Sequence, residues 1–304
     1  MHRFTRSAAL LVIALAALFV LAGGAWADTQ WPSLFRYTLS LSSDETARYQ
    51  VSAGLSGPVA ENMSAKVEGW WIGGKGDDRA FVGDAYVDFK RNPVYVAAGR
   101  KYTVFGPAGV LVSPGIFGGE LKLDTDGWVF QAIAGTLQFT PGTGTTRFTF
   151  TGARAPGDEG ITAVRLARTL TPADAAVPVK LGVNWIDVVD DTGTSVDAEI
   201  GLRRWLTLYG EAADYDDANA SLYGVRLSDA ATREDGRAWI LVYYHRDIDV
   251  GFVPAAVGAS SYFEGQSGWA GGLYYQMNPR NAIGVFADDE DAILTWFGTV
   301  PIAR

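Results

Sequence analysis

The chain of 304 residues contains no cysteine, which excludes disulfides and thiolate metal sites. Histidine is nearly absent too, with only His2 and His245. A hydrolase built on imidazole would have to use His245. That residue stands beside Arg246 and Asp247 at the end of an alternating segment, an ordinary place for an interfacial polar group, so no enzymatic activity is expected. Basic side chains are the scarcer charge, 25 against 34 acidic. Two of them, Arg3 and Arg6, lie in the first 27 residues, which hold no acid, so the remainder carries 23 against 34, a net charge of about −11. Such a balance disfavours nucleic acid as a partner. The acidic clusters, Asp288-Asp289-Glu290-Asp291 among them, lack the regular ligand spacing of a calcium loop, and no cofactor or metal is expected. Beyond residue 27 no apolar run reaches the roughly 20 residues of a spanning helix. Any membrane insertion must therefore be by strands.

The first 27 residues have a different character. Arg3 and Arg6 precede an apolar run from Ala8 to Ala22, and Ala25-Trp26-Ala27 supplies the small residues that flank a signal-peptidase cut. The run is too short for a spanning helix, so residues 1–27 are read as a cleavable signal and residues 28–304 as a single exported domain.

From Leu34 to about Val300 the chain alternates in side-chain character every residue. Phe35, Tyr37, Leu39 and Leu41 are apolar, and Arg36, Thr38, Ser40 and Ser42 between them are polar. Strand geometry puts the two sets on opposite faces. The pattern recurs near 34–42, 48–56, 63–73, 80–90, 93–101, 127–139, 145–152, 160–169, 178–188, 195–203, 205–213, 219–228, 237–246, 267–277, 280–287 and 292–300. The predicted fold is all-β, a transmembrane antiparallel up-and-down barrel of about 16 strands, with 14 or 12 as alternatives. Charged residues at mid-strand, among them Arg36, Arg48, Lys66, Glu68, Asp84, Asp88, Arg147, Lys180, Asp197, Glu199 and Arg226, must point into a watery lumen. A basic residue facing lipid at the midplane would cost about 2–4 kcal/mol. Trp128, Trp185, Trp239, Trp269 and Trp296 suit the aromatic girdles at the two membrane interfaces, and Trp70 and Trp71 are read the same way, although they could also stack sugars.

The connections sort by parity. Several even ones are tight and basic or proline-marked, such as Lys90-Arg91-Asn92-Pro93, Thr140-Pro141-Gly142, Arg203-Arg204 and Asn278-Pro279-Arg280. The odd ones are acidic and often longer, such as Asp44-Glu45, Asp77-Asp78, Asp158-Glu159, Asp190-Asp191 and Asp288 to Asp291. Short turns on one rim and polar loops on the other are the layout of outer-membrane barrels. Residues 101–126 read as a third loop on the acidic rim, Gly- and Pro-marked yet apolar, with Val104, Phe105, Val110, Leu111, Val112, Ile116 and Phe117. A long irregular segment of this composition is expected to be functional and to fold back into the lumen.

On these features the chain resembles the general porins of the bacterial outer membrane, in the leading segment, the strand count, the lack of cysteine, the tight turns of one rim and the long loop after the fifth strand. The resemblance implies a water-filled channel in the outer membrane for passive diffusion of small hydrophilic solutes or ions, and a homotrimer in contact with outer-membrane lipid. It also implies a pore constriction in which Glu120, Asp124 and Asp126 are the loop acids and Arg36, Arg48, Lys66 and Arg100 the facing wall bases. The acidic mouth loops imply weak cation preference. The chain departs from the pattern in lacking a terminal aromatic on the last strand. A narrower stretch, Gly99-Arg100, Phe105-Gly106-Pro107, Gly109, Leu111 and Ser113, is similar to outer-membrane lectin barrels that hold capsule polysaccharide. The alternative reading is therefore a non-conducting barrel that binds surface polysaccharide or has a structural envelope role.

Overall fold

Sixteen antiparallel strands, each hydrogen-bonded to its sequence neighbours, close on themselves through the pairing of the first with the last. The structure is a computed structural model, and it describes residues 33–42, 47–73, 79–112, 115–138, 160–170, 177–188, 191–229, 237–250, 252, 265–278, 280–289 and 292–301. The strands are β1 (Ser33–Ser42), β2 (Ala47–Ala60), β3 (Met63–Gly73), β4 (Arg79–Arg91), β5 (Val94–Tyr102), β6 (Gly115–Thr125), β7 (Trp128–Gln138) and β8 (Gly160–Leu170). The second half comprises β9 (Val179–Val188), β10 (Asp191–Arg203), β11 (Leu206–Tyr215), β12 (Ala218–Ser228), β13 (Ala238–Ile248), β14 (Ser267–Asn278), β15 (Asn281–Asp288) and β16 (Ala292–Pro301). Closure leaves no strand edge, so the ladders of the wall pair backbone groups within the sheet, interrupted by register shifts at Pro58/Ala60, Val67/Gly69, Gly201/Arg203 and Gln276/Asn278.

The alternation resolves as the sequence predicts. On β8, Ile161, Ala163, Arg165 and Ala167 are buried toward the lumen, and Thr162, Leu166 and Arg168 between them are exposed. On β9 and β10, Val183 and Val196 are more than half exposed on the outer face, while Asn184 and Asp197 beside them are buried within. An outer face of bare Leu and Val is costly in water and free of cost in hydrocarbon. Near the strand ends that face carries Trp71, Trp128, Trp185, Trp205 and Trp269, all exposed, as interfacial girdles require. Arg168 lies 4.7 Å over the ring of Trp128, keeping its charge at the interface by a cation–π contact.

Two-residue turns occur on both rims, so the expected sorting by parity holds only in part: Glu61-Asn62 and Asp126-Gly127 lie on one rim, and Asp216-Asp217, with Asp216 at φ 54°, joins β11 to β12 on the loop rim. Asn62 and Asp126 take positive φ (59° and 48°), with Gly127 at 78°. The Asp126-Gly127 pair is thus the left-handed two-residue turn that matches strand twist. The strand count agrees with expectation through two compensating differences. Residues 115–125, expected within the third loop, form β6 and pair along their length with β5 and β7. The expected strand at 145–152 lies outside the described residues, and β7 and β8 on either side of it pair directly. The third loop therefore spans 103–114 only. Residues 139–159 are the seventh connection, so Thr140-Pro141-Gly142 falls in a connection on the loop rim and not on the turn rim.

The reason for the first difference is visible in β6. Glu120, Lys122 and Asp124 alternate with Leu121 and Leu123 as a good strand should, but Gly118-Gly119 and the apolar pair Ile116-Phe117 blur the alternation ahead of them. Gly118 is there because the neighbouring strand approaches closely, whereas a Cβ on Gly119 would meet only the Ala97 carbonyl oxygen at 3.8 Å. A Cβ on Gly118 would sit 2.1 Å from the carbonyl oxygen of Ala134.

Candidate functional site

Loop 3 enters the lumen and is held there by two kinds of force. Phe105, Val110, Leu111 and Val112 are fully buried, in one cluster with Ile133, Leu137, Ile161, Ile186, Val188, Tyr215, Leu222, Tyr244, Ile248, Phe252 and Phe286 of the surrounding wall. These positions lie toward the loop rim on β7 to β15. The loop closes on itself where the Phe105 N–H donates to the Val112 carbonyl at 2.9 Å.

The second force is polar. Glu211 of β11 accepts the Val110 N–H at 2.9 Å and the Leu111 N–H at 3.2 Å, one on each carboxylate oxygen, and also the Ser195 hydroxyl at 2.8 Å. Ser195 accepts from the Asn184 amide at 2.8 Å, which also donates to Asp197 at 3.0 Å. Asp197 receives both guanidinium nitrogens of Arg165, one of them at 2.9 Å, and Arg165 donates to the Asn184 oxygen at 2.8 Å. Four adjacent strands, β8 to β11, thus supply one buried network. Gly106 sits against it with φ +74°, and a Cβ there would lie 3.1 Å from Asp197 Oδ2 and 3.2 Å from Glu211 Oε2. The backbone conformation and the space each call for glycine.

The wall from β2 to β7 is different. Lys66 of β3 pairs with Asp84 at 2.5 Å and with Glu68 at 3.0 Å, and Glu68 also accepts from Ser52 at 2.7 Å. Lys101 of β5 pairs with Glu120 of β6 and donates to the Tyr95 hydroxyl at 2.9 Å, with its ammonium 4.7 Å from the Tyr95 ring centroid and 5.6 Å from that of Tyr86. Glu120 accepts further from Gln131 at 2.6 Å and Thr103 at 3.2 Å. Towards the turn rim the opposite wall is also charged, Glu199 having Lys180 at 3.4 Å and Arg226 at 3.6 Å.

The residues expected to form the constriction are therefore distributed differently from the general-porin pattern. Glu120 and Asp124 are wall residues of β6 and not loop acids, because 115–125 is a strand. Asp126 stands in the turn at the opposite rim from loop 3. Lys66 is on the lumen side as expected. Arg100 is not among the lumen bases. Register places it on the face of Ala85 and the exposed Phe117, opposite the face of Lys101 and Glu120. Gly99, in the left-handed range at φ 128°, immediately precedes it. Arg36 and Arg48 pair in register with Ser52 and Ser40, and their side chains lie outside the described residues. Arg147 lies outside them entirely.

What sequence reasoning missed is Glu211, Ser195, Asn184 and Arg165 as a set, and Lys101 as the partner of Glu120. Their only local signal is a polar residue at an inward position. His245, on the outer face, stacks on Tyr223 at 5.2 Å between ring centroids and meets Trp269 edge-on at 5.0 Å, within the girdle. Among the described residues no group of three or more His, Asp or Glu is placed to hold a metal.

No protein-family model matches the chain, and no curated protein matches it in sequence. Solved structures do match in fold. The chain is similar to the high-pH structure of Pseudomonas putida OprB, with TM-score 0.56, 12% identity and coverage of 90% of this chain and 94% of that one. It is similar to a variant of the Rh. blastica porin, with TM-score 0.54, 11% identity and coverage of 90% and 100%. It is also similar to OccD3 of Pseudomonas aeruginosa, with TM-score 0.50, 12% identity and coverage of 90% and 91%. The fold is that of the bacterial outer-membrane porins, a closed barrel that spans the membrane with strands.

Proposed function

We infer that this protein is a channel of the bacterial outer membrane through which small hydrophilic solutes diffuse down their gradients. The observation that carries the reading is the ion-paired strip of β3 to β6 facing the lumen. Lys66, Asp84 and Lys101 stay partly exposed above the buried Glu68 and Glu120, as charges that face water inside the barrel would, since full burial of so many ions costs more than their attraction returns. Residues 1–27 act as the export signal, and the barrel assembles as a trimer in the manner of the proteins it resembles.

The pore is weakly cation-preferring. Of the described side chains on β3 to β6 the lumen side carries Glu68, Asp84, Asp88, Glu120 and Asp124 against Lys66, Lys90, Lys101 and Lys122, five acids to four bases. The acidic connections of the loop rim add to this by raising local cation concentration. Of the residues expected at the constriction, Lys66 and Glu120 are retained. Arg36 and Arg48 belong to the same side of the ring by register, and Asp124 lies nearer the turn rim.

Single-channel recording of the refolded protein in a planar bilayer, with reversal potential under a salt gradient, tests this. Ohmic steps with a cation-biased reversal potential are expected. A folded barrel that never conducts would overturn the reading in favour of the surface-polysaccharide or structural role.

A further inference from the structure

Loop 3, residues 103–114, reads Thr-Val-Phe-Gly-Pro-Ala-Gly-Val-Leu-Val-Ser-Pro and carries no ionisable side chain. It is seated on β10 and β11 through Glu211 and Asp197. In the closed ring β11 lies eight strands from β3, on the far side of the lumen from Lys66 and Glu68. A space left between loop and wall thus has one side without charge, where Val104 is 42% exposed and Gly106, Pro107 and Ala108 are half-buried. The other side holds cations and carboxylates next to one another: Lys66 between Glu68 and Asp84, and Lys101 against Glu120. No electric field runs across such a passage from acids on the loop to bases on the wall. The field is local and lies within one wall.

We propose that the constriction selects small zwitterionic solutes with an apolar side, of the amino-acid type, over equally small zwitterions with a polar one. This rests on the channel reading above and names the solute class of the same site. An ammonium and a carboxylate held on one edge of a solute meet complementary charges side by side along β3 to β6, where each loses its water to a charged partner. The opposite edge meets the side chains of loop 3. A polar group there gives up hydrogen bonds that Val, Pro and Ala cannot replace, whereas an apolar group leaves water at a gain. A solute of a single sign finds Lys66, Glu68, Asp84, Lys101 and Glu120 already partnered by their opposites and must break a pair to bind there.

The test is swelling of liposomes that contain the full barrel, in free leucine and in free asparagine, two zwitterions of nearly equal size. Leucine is expected to enter faster than asparagine by about twofold or more, the difference that a small apolar contact would make. A smaller difference, equal rates or faster entry of asparagine overturns the proposal and leaves the channel standing. Swelling in neither solute overturns the channel reading and the proposal with it. Val104→Asp and Ala108→Asp each put a carboxylate on the loop, and at least one of them should invert the order in favour of asparagine. If both fold, conduct and leave the order unchanged, loop 3 does not line the path and the proposal fails.

Discussion

Two walls of one barrel, built by the same alternation, have been put to opposite uses. From β8 to β11 the inward residues are buried and mutually satisfied: Arg165, Asn184, Ser195, Asp197 and Glu211 form a closed hydrogen-bond network, with apolar side chains above them towards the loop rim. From β3 to β6 the inward residues are charged in pairs of which one end stays partly open, the side chains of Lys66 and Asp84 each being 23% exposed while Glu68 and Glu120 are buried. The difference is what covers them. Loop 3 lies on the first wall, so polar groups there must find partners within the protein. On the second wall, among the described residues, loop 3 reaches only Glu120, through Thr103, and Lys66, Asp84 and Lys101 stay about a fifth exposed above the buried Glu68 and Glu120.

The comparison can be broken most severely at Asp197. Asp197→Ala leaves the Arg165 guanidinium buried without its carboxylate, a loss of about 3–5 kcal/mol. Thermal unfolding of the barrel in detergent should show a marked drop in midpoint. An unchanged midpoint would mean that the network is solvated. Leu111→Ala removes a fully buried loop side chain and should cost about 2–5 kcal/mol by the same measurement. Because the lost contact belongs to the loop, single-channel noise should also rise. Glu211→Gln keeps the shape but replaces one of the acceptor oxygens that hold Val110 and Leu111 with a donor. Leaving one N–H unsatisfied costs about 1–3 kcal/mol, and a thiol placed at Val104 in this cysteine-free chain should then react faster with a soluble reagent. Equal rates would show that apolar packing alone holds the loop.

On the other wall both readouts should respond. Lys66→Met is expected to shift the reversal potential towards stronger cation preference, since Glu68 and Asp84 lose their counter-ion, and to lower the unfolding midpoint, because the Glu68 side chain is only 4% exposed and is left without its cation. A shift towards anions would contradict the placement of these acids along the path. Lys180→Ala, at a more exposed pair with Glu199, should change unfolding by about 0–1 kcal/mol and conductance little, and it serves as the calibration for the rest.

Much of the architecture was legible because a strand's period of two leaves its mark in every segment. Val183 beside Asn184 and Val196 beside Asp197 show which face each residue takes without knowledge of the neighbours. β6 was hidden for a local reason. Gly118 answers the close approach of β7 and not the rule of alternation, and with Gly119 beside it the segment imitated a loop. The same shift moved Glu120 and Asp124 from loop to wall. Arg100 read as a wall base because its charge suited the lumen, yet register with Phe117 puts it on the other face.

The sequence by itself determined that this chain closes into an antiparallel barrel with an apolar outside and a charged inside. Those properties follow from the pattern of single residues repeated along each strand. Only the tertiary structure decided where loop 3 rests and what holds it. Val110 and Glu211 are a hundred residues apart, and their contact depends on ring closure, which sets β11 across the lumen from β3. A hydrogen bond between a loop and a strand far along the chain leaves no periodic trace, since it requires only that a polar residue occur at one inward position among many.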